Sequence, residues 1–408
     1  MNTHFREYRR RLTRDYLFIN ARVLTPFAFR DAAVLVRGGR IEEIAGHIEP
    51  AENTRVIDAG GRLLVPGYVD LHVHGGGGRS VMEGTSEAIC AMARAHALRG
   101  TTSILPTTLS MPLPAMIRAG RAVTEAMAEE HPYTILGVHQ EGPCLSPAQG
   151  GAQSTDALLV PARADLTALI EDCPALRMMG VAPELDGAMA LGRRLNARGI
   201  VASAAHTDAD YDTMARAVMN GFSDVTHLYS GCSSVVRRNA FRVAGVVEAG
   251  LEMSALTVQV IADGCHLPLP LLRLIYRCKG ADRMYAVTDG LEFSAAEQKE
   301  GALYTQLNGQ PCLYEDGVMK LPDRHAFAGS VATMSRLVRT LVRAGIPLAD
   351  AVRMATDTPA RRVGARGKGR IAAGSDADIL LLDDSLHVTL VMAGGEILTE
   401  QAEEKDVL

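Results

Sequence analysis

Apolar positions along the chain fall into short runs whose spacing changes once, near Pro66. From Tyr16 to Asp58 the runs "YLFINARVLT", "AAVLVRGGRIEEIAG" and "TRVIDAGG" are rich in β-forming residues and separated by turns, which predicts a small β domain. Beyond Pro66, short apolar runs alternate with helix-length, Ala-rich segments such as Thr85–Arg99 and Tyr211–Asn220, the rhythm of βα units around a parallel sheet. Eight runs read as strands: Leu63–His72, Ser103–Pro106, Ile135–Glu141, Arg177–Pro183, Ile200–His206, Asp224–Tyr229, Val258–Asp263 and Met284–Asp289. Eight is the number that closes a (β/α)8 barrel, with a doubly wound open sheet as the alternative because periodicity does not show closure.

After a long helical stretch, Ser330–Met354, the segments "GKGRIAAGSDADILLLDD" and "VTLVMAGGEIL" return to strand-like alternation. Two short β pieces, one at either end of the chain, are each too small to bury a core alone, so they are expected to join. The expected architecture is an α/β protein: a TIM-like (β/α)8 barrel over residues 66–365, with a small β-sandwich domain formed by 1–65 plus 366–408.

Composition narrows the class. With 47% apolar and 22% charged residues over 408 positions, the chain reads as globular rather than disordered. A formal charge of −5 offers no footprint for nucleic acid. The basic stretch "REYRRRLTRD" lacks a signal peptide's apolar segment and reads as a solvated leader, and no apolar run approaches the ~18 residues that a membrane helix needs. Seven scattered cysteines without a C-x-x-C pair indicate neither a disulfide framework nor a thiolate zinc site, which fits a reducing cytoplasm.

Candidate chemistry gathers where strands end, the face on which barrels carry their sites. His72 and His74 end the first run, Glu141 the third, His206 the fifth, His227 the sixth, Asp263 the seventh and Asp289 the eighth. Side chains two apart on a strand point the same way, so His72 and His74 can offer imidazole nitrogens to one ion. Imidazole and carboxylate without thiolate suit a divalent metal, one or two ions: zinc first, with iron, manganese, cobalt or nickel compatible. Such an ion lowers the pKa of bound water toward ~7 and polarises a carbonyl, so hydrolysis of an amide or related C–N bond follows. Gly75–Gly78 lack a Walker-type ending and read as a sharp turn beside this site that leaves substrate entry unobstructed by side chains.

Other polar residues read as support. His139 fits a supporting hydrogen bond, His96 helix packing or surface, and Asp263 either structure or substrate contact. Cys144 and Cys232 fit small packing residues. The long connection Leu291–Phe327 is a candidate flap.

Taken together, the N-terminal β segment, "PGYVDLHVH", two later single histidines, a late strand-end Asp and the closing "GSDADILLLD" resemble the amidohydrolase superfamily. More narrowly, "GVHQEGPCLSPAQGGA", "THLYSG", "IADGCHLP", "VTDG" and "FAGSVATM" resemble its N-acetylglucosamine-6-phosphate deacetylase branch, over roughly Leu17–Leu398. The resemblance implies that Glu141, His206 and His227 are the principal metal ligands, Asp289 the catalytic acid–base, and His72 and His74 the pair that holds a second metal in some members. Many amidohydrolases bridge two metals with a carboxylated lysine before the later histidines. This chain has five lysines, the first at Lys279, so Glu141 is the natural bridge.

The implied reaction is attack of metal-activated water on the acetamido carbonyl, with Asp289 as base and then as acid toward the departing amine. His266 matches a substrate-contacting histidine. Arg238 matches a phosphate-binding arginine often supplied by the neighbouring subunit of a homodimer. Two departures bear on the substrate: Gln153 stands where the family commonly has a histidine, and Ser230–Gly231 where it has Asn-Ala. Expected substrates are N-acetylglucosamine 6-phosphate, or else N-acetylgalactosamine 6-phosphate or another N-acyl compound. A sugar-phosphate-binding regulator that has lost the chemistry is the reading from a different class.

Overall fold

The computed structural model describes residues 14–26, 28–307 and 309–400. Apart from Arg14 and Asp15, the basic leader lies outside the described residues, as does His4.

Eight parallel strands form the barrel: β1 (Tyr68–Val73), β2 (Thr101–Thr108), β3 (Val138–Glu141, preceded by the short pairing Thr134–Ile135), β4 (Leu176–Val181), β5 (Val201–Ala204), β6 (Phe222–Val225), β7 (Thr257–Val260) and β8 (Met284–Ala286). Each pairs with the next in chain order. Closure comes from β8 returning to β1: Asp289 N donates to His72 O at 2.9 Å, and Val73 bridges to Gly290 in parallel. The doubly wound alternative is thereby excluded.

Barrel strands are buried on both faces, as β2 illustrates with all eight residues buried, and so they lack the alternation of a one-sided sheet. Val69, Leu71, Leu105, Met178, Tyr285 and Val287 form an inner cluster, distinct from the outer layer where helices pack. The helices turn one stripe to the strands. In Met334–Arg343, Met334, Leu337, Val338 and Leu341 are buried, the i, i+3, i+4, i+7 spacing of an amphipathic helix. The expected single helix Ser330–Met354 is two, Met334–Arg343 and Leu348–Met354, because Gly345 takes φ +83° and Pro347 cannot continue the first.

Eight strands from both ends of the chain share a second sheet. Tyr16–Leu24 pairs with Phe29–Arg37, and that strand with Arg40–Ala45; its other edge meets Arg55–Asp58 and Leu63–Pro66. Leu63–Pro66 then pairs antiparallel with Ile379–Leu382, followed by Val388–Ala393 and Glu396–Glu400. The sheet wraps so that Phe18, Val23 and Leu64 share one core with Ile379, Leu381 and Met392.

The expected strand Leu63–His72 is likewise divided. Leu63–Pro66 belongs to this second sheet and Tyr68–Val73 to the barrel, with Gly67 between. A Cβ at Gly67 would lie 2.1 Å from Thr102 Oγ1, so only glycine lets the chain cross there against β2. This crossing sets β1, and with it His72 and His74, directly downstream of the second sheet.

Phe18→Ala should therefore cost about 3–5 kcal/mol in chemical denaturation, as for a large core truncation. A loss several-fold smaller would show that the two ends do not share a consolidated core.

Candidate metal and substrate site

Glu141 is the last residue of β3, and His72 lies next to the end of β1. His206, His227 and Asp289 lie just past the ends of β5, β6 and β8, and all three have left-handed backbones, at φ +42°, +27° and +49°. Such conformations cost of order 1–3 kcal/mol for residues with side chains and persist where surrounding structure enforces them. They bend these side chains back over the barrel mouth.

The six expected ligands meet there. Four imidazole Nε2 atoms close on one carboxylate: His227 and His206 lie 2.9 and 3.2 Å from Glu141 Oε1, His72 3.6 Å from the same oxygen, and His74 3.5 Å from Oε2. Asp289 Oδ1 stands 3.1 Å from His74 Nε2 and 3.5 Å from His72 Nε2. His72, Glu141 and His227 make one triad with metal-ligand spacing, and His72, His74 and Asp289 a second.

The far side of each ring explains why these contacts fit a cation. Every Nδ1 faces a carbonyl oxygen: Gln259 Oε1 for His72 (3.1 Å), Thr107 O for His74 (3.1 Å), Gln149 O for His206 (2.8 Å) and Ser230 O for His227 (3.0 Å). Carbonyl oxygens only accept, so each Nδ1 carries the ring's proton and each Nε2 presents a lone pair in the neutral form. Lone pairs then face carboxylate oxygens across short gaps, an arrangement that is repulsive until positive charge enters it. Without an ion, protons supply that charge. Burial alone would lower His72, but Glu141 and Asp289 outweigh it and raise the imidazole to about 9. Burial would raise Glu141, and the surrounding imidazoles hold it well below the ordinary range instead. Burial opposes ionisation of Asp289 too, yet the hydrogen bond from His74 and the neighbouring imidazoles hold it at about 2.

A cavity of about 230 Å³ opens over this cluster, lined among others by Gln153, Ser230, Gly231, His266 and Phe327. Gln153 spans two partners: its Oε1 accepts from Ser110 N at 2.9 Å and its Nε2 donates to Glu141 Oε2 at 2.6 Å. Asp263, which sequence alone left between two roles, is structural. Its carboxylate takes the backbone N–H groups of Cys265 and His266 and the His266 Nδ1 at 2.8 Å, which turns that ring toward the cavity. Burial lowers His266, but Asp263 beside it prevails and raises it.

Arg238 is not brought in. It sits on an exposed hairpin, Val236–Arg238 with Phe241–Val243, and its Nη1 lies 3.9 Å from Asp210. The supporting residues fall as expected: His139 packs edge-on against His72 with ring centroids 4.8 Å apart, and His96 is buried, bonding Gly75 O at 2.9 Å. Burial pushes the Cys144 and Cys232 thiols up to about 12, so neither is poised as a nucleophile. Gly75 and Gly76 serve a close approach rather than an open entrance: a Cβ on Gly75 would lie 2.4 Å from Arg79 O, and one on Gly76 2.5 Å from His96 Nε2. From the Leu291–Phe327 connection, Leu291, Gln306, Ala326 and Phe327 wall the cavity, and the Phe327 ring packs tilted against His266 with centroids 4.6 Å apart.

Sequence reasoning missed Gln259 and Asp224. The available signal was a polar residue inside the apolar run "TVQV" of β7.

With this geometry in place, comparisons with known proteins carry direct weight. The amidohydrolase family model matches residues 63–398. An N-acetylglucosamine-6-phosphate deacetylase of Lysinibacillus sphaericus is 29% identical over 371 residues, 89% of this chain and 92% of its own. An N-acetylgalactosamine-6-phosphate deacetylase of Shewanella sp. (strain ANA-3) is 35% identical over 346 residues, 84% of each chain. The crystal structure of N-acetylglucosamine-6-phosphate deacetylase from Pasteurella multocida superposes with a TM-score of 0.87 at 27% identity, covering 95% of this chain and 100% of that one. A mutant of the Mycobacterium smegmatis enzyme, solved in complex with N-acetyl-D-glucosamine-6-phosphate, gives 0.85 at 29%, with coverages of 95% and 100%. By sequence and by fold, the chain belongs to the amidohydrolase family.

Proposed function

We propose that this hydrolytic enzyme removes the acetyl group of N-acetylglucosamine 6-phosphate, giving glucosamine 6-phosphate and acetate, with one or two divalent ions, zinc first, held by His72, His74, Glu141, His206, His227 and Asp289. One observation carries the reading: four imidazoles, each with Nδ1 held by a carbonyl, aim Nε2 at a single buried carboxylate beside Asp289. N-acetylgalactosamine 6-phosphate is the second reading, favoured by the relatives of that name from Shewanella sp. and Escherichia coli O157:H7, 35% and 30% identical. An intact Asp289 argues against a binding protein without chemistry, which needs no base.

A divalent ion bound here would polarise the acetamido carbonyl and acidify the attacking water. The chain's own residues supply the rest. Asp289, ionised at neutral pH, takes the proton from that water and delivers it to the sugar nitrogen as the C–N bond breaks. His266, oriented by Asp263, donates to the substrate, and Ser230 and Gly231 border it. Gln153 holds Glu141 and Ser110 in place beneath it. Phe327 covers His266 and restricts solvent on that side.

Arg238 lies outside its own chain's cavity, so its phosphate contact is assigned to a neighbouring copy. Support comes from its hairpin, where Phe241 is 77% exposed beside exposed Val235 and Val236, the apolar dress of a subunit contact. A cytoplasmic location accords with seven free cysteines, and among the described residues no helix is long and apolar enough to cross a membrane. The division into 1–65 plus 366–408 and 66–365 accords with the sheet shared by both ends.

Acetate release from a panel of N-acetylated sugar phosphates, with metal content measured on the same preparation, should single out the glucosamine epimer; no turnover by metal-loaded protein on any member would end the deacetylase reading. Asp289→Asn should lower kcat about 10²–10⁴-fold, the usual weight of general acid–base catalysis, while substrate still binds. Arg238→Ala should raise KM about ten- to a hundredfold, the worth of a charge-assisted bond, with kcat little changed. Phe241→Asp should give a monomer with the same KM defect, and a monomer with normal KM would remove Arg238 from the partner's site.

A further inference from the structure

Beneath the ligand cluster, a line of buried polar side chains crosses the barrel interior. His72 Nδ1 meets Gln259 Oε1 at 3.1 Å, and Gln259 Nε2 meets Asp224 Oδ2 at 2.9 Å. Gln259 also touches Met178 Sδ at 3.4 Å, so a side chain from β7 reaches β1, β4 and β6 at once through the core. Asp224 is in turn fixed by Ser203 Oγ at 2.9 Å, by the Tyr285 hydroxyl at 3.0 Å and by Thr257, with the Arg362 guanidinium 3.7 Å away. Asp224, Gln259, Ser203 and Tyr285 are all fully buried. Burial and the nearby Asp224 push the Tyr285 phenol well above its ordinary value, so it stays a donor.

Hydrogen-bond polarity makes this line directional. Asp224, ringed by donors, can only accept, so the Gln259 atom facing it is the amide NH₂ and the atom facing His72 is the oxygen. That oxygen can only accept, so His72 carries its ring proton on Nδ1 and turns an Nε2 lone pair to the barrel mouth. His74, His206 and His227 rely on backbone carbonyls for the same service, whose polarity never varies. His72 alone depends on a side-chain amide, which could rotate and present its NH₂ instead.

We infer that Gln259 and Asp224 are positioning residues for His72: Asp224 fixes the orientation of the Gln259 amide, and Gln259 fixes the His72 tautomer that can hold a metal ion in the His72–His74–Asp289 triad. The inference rests on the metal reading above and adds two residues to it, neither of which touches ion or substrate. Its effect falls mainly on one half of the site: Glu141, His206 and His227 converge without help from this line and meet it only through His72, 3.6 Å from Glu141 Oε1.

The test is metal binding by the full-length protein, measured as ions retained per chain in buffers of fixed free zinc. Gln259→Met keeps the volume and removes the acceptor. Asp224→Asn keeps the shape and lets the amide turn. The parent should hold one ion strongly and a second through His72, His74 and Asp289. Gln259→Met should weaken the second about 10- to 100-fold, the usual effect of deleting such a support, and the ion of Glu141, His206 and His227 much less. Asp224→Asn should weaken the second ion by a smaller factor, and it decides the matter if Gln259→Met does not fold, as judged by circular dichroism. Parent-like binding of both ions in the folded variants would overturn the positioning role. A parent that binds no divalent ion would instead overturn the metal reading on which it stands.

Discussion

Electrostatic frustration around Glu141 organises the rest of the molecule. Four imidazole lone pairs and two carboxylates are pressed together in a buried space, each Nε2 within 3.6 Å of a carboxylate oxygen, and among the described residues only Gln153 and the groups' own protons relieve them. Holding such groups together has a cost that a flexible loop could not sustain. Here each is fixed at the end of a barrel strand, and three of the six accept left-handed backbones to stay there. The closed barrel is the frame that resists their separation, and the second sheet steadies the strand that delivers the histidine pair.

Much of this was legible in the sequence for definite physical reasons. H-x-H in an apolar run exploits the two-residue period of a strand, so both rings had to share a side. Glu141, His206, His227 and Asp289 each closed a run of the same kind, and in a parallel barrel all such ends lie on one face. The missing early lysines removed a rival bridge by simple absence. The family resemblance then gave these positions roles.

What stayed hidden depended on contacts between distant segments. The break at Gly67 is invisible because apolar residues continue on both sides of it; what forbids a side chain there is Thr102 on the next strand. Gly75 and Gly76 looked like an unobstructed entrance, whereas His96 and the Arg79 backbone already occupy the space their side chains would need. Asp224 and Gln259 differ from ordinary buried polar residues only through partners on other strands. The exposed position of Arg238 also lay beyond pattern, since hairpin and strand residues look alike until packing is known.

The shared sheet carries a consequence for how the enzyme is made. Pro66 finds its partner in Ile379, so the strand leading into β1 stays unpaired on that edge until the segment Ile379–Leu382 has left the ribosome. Non-local pairing of this kind is slow to form and exposes a sheet edge while it waits. The histidine pair lies a few residues past that edge. Consolidation of the strand that carries the histidine pair therefore waits for a segment made well after Asp289, the last of the six ligands in chain order.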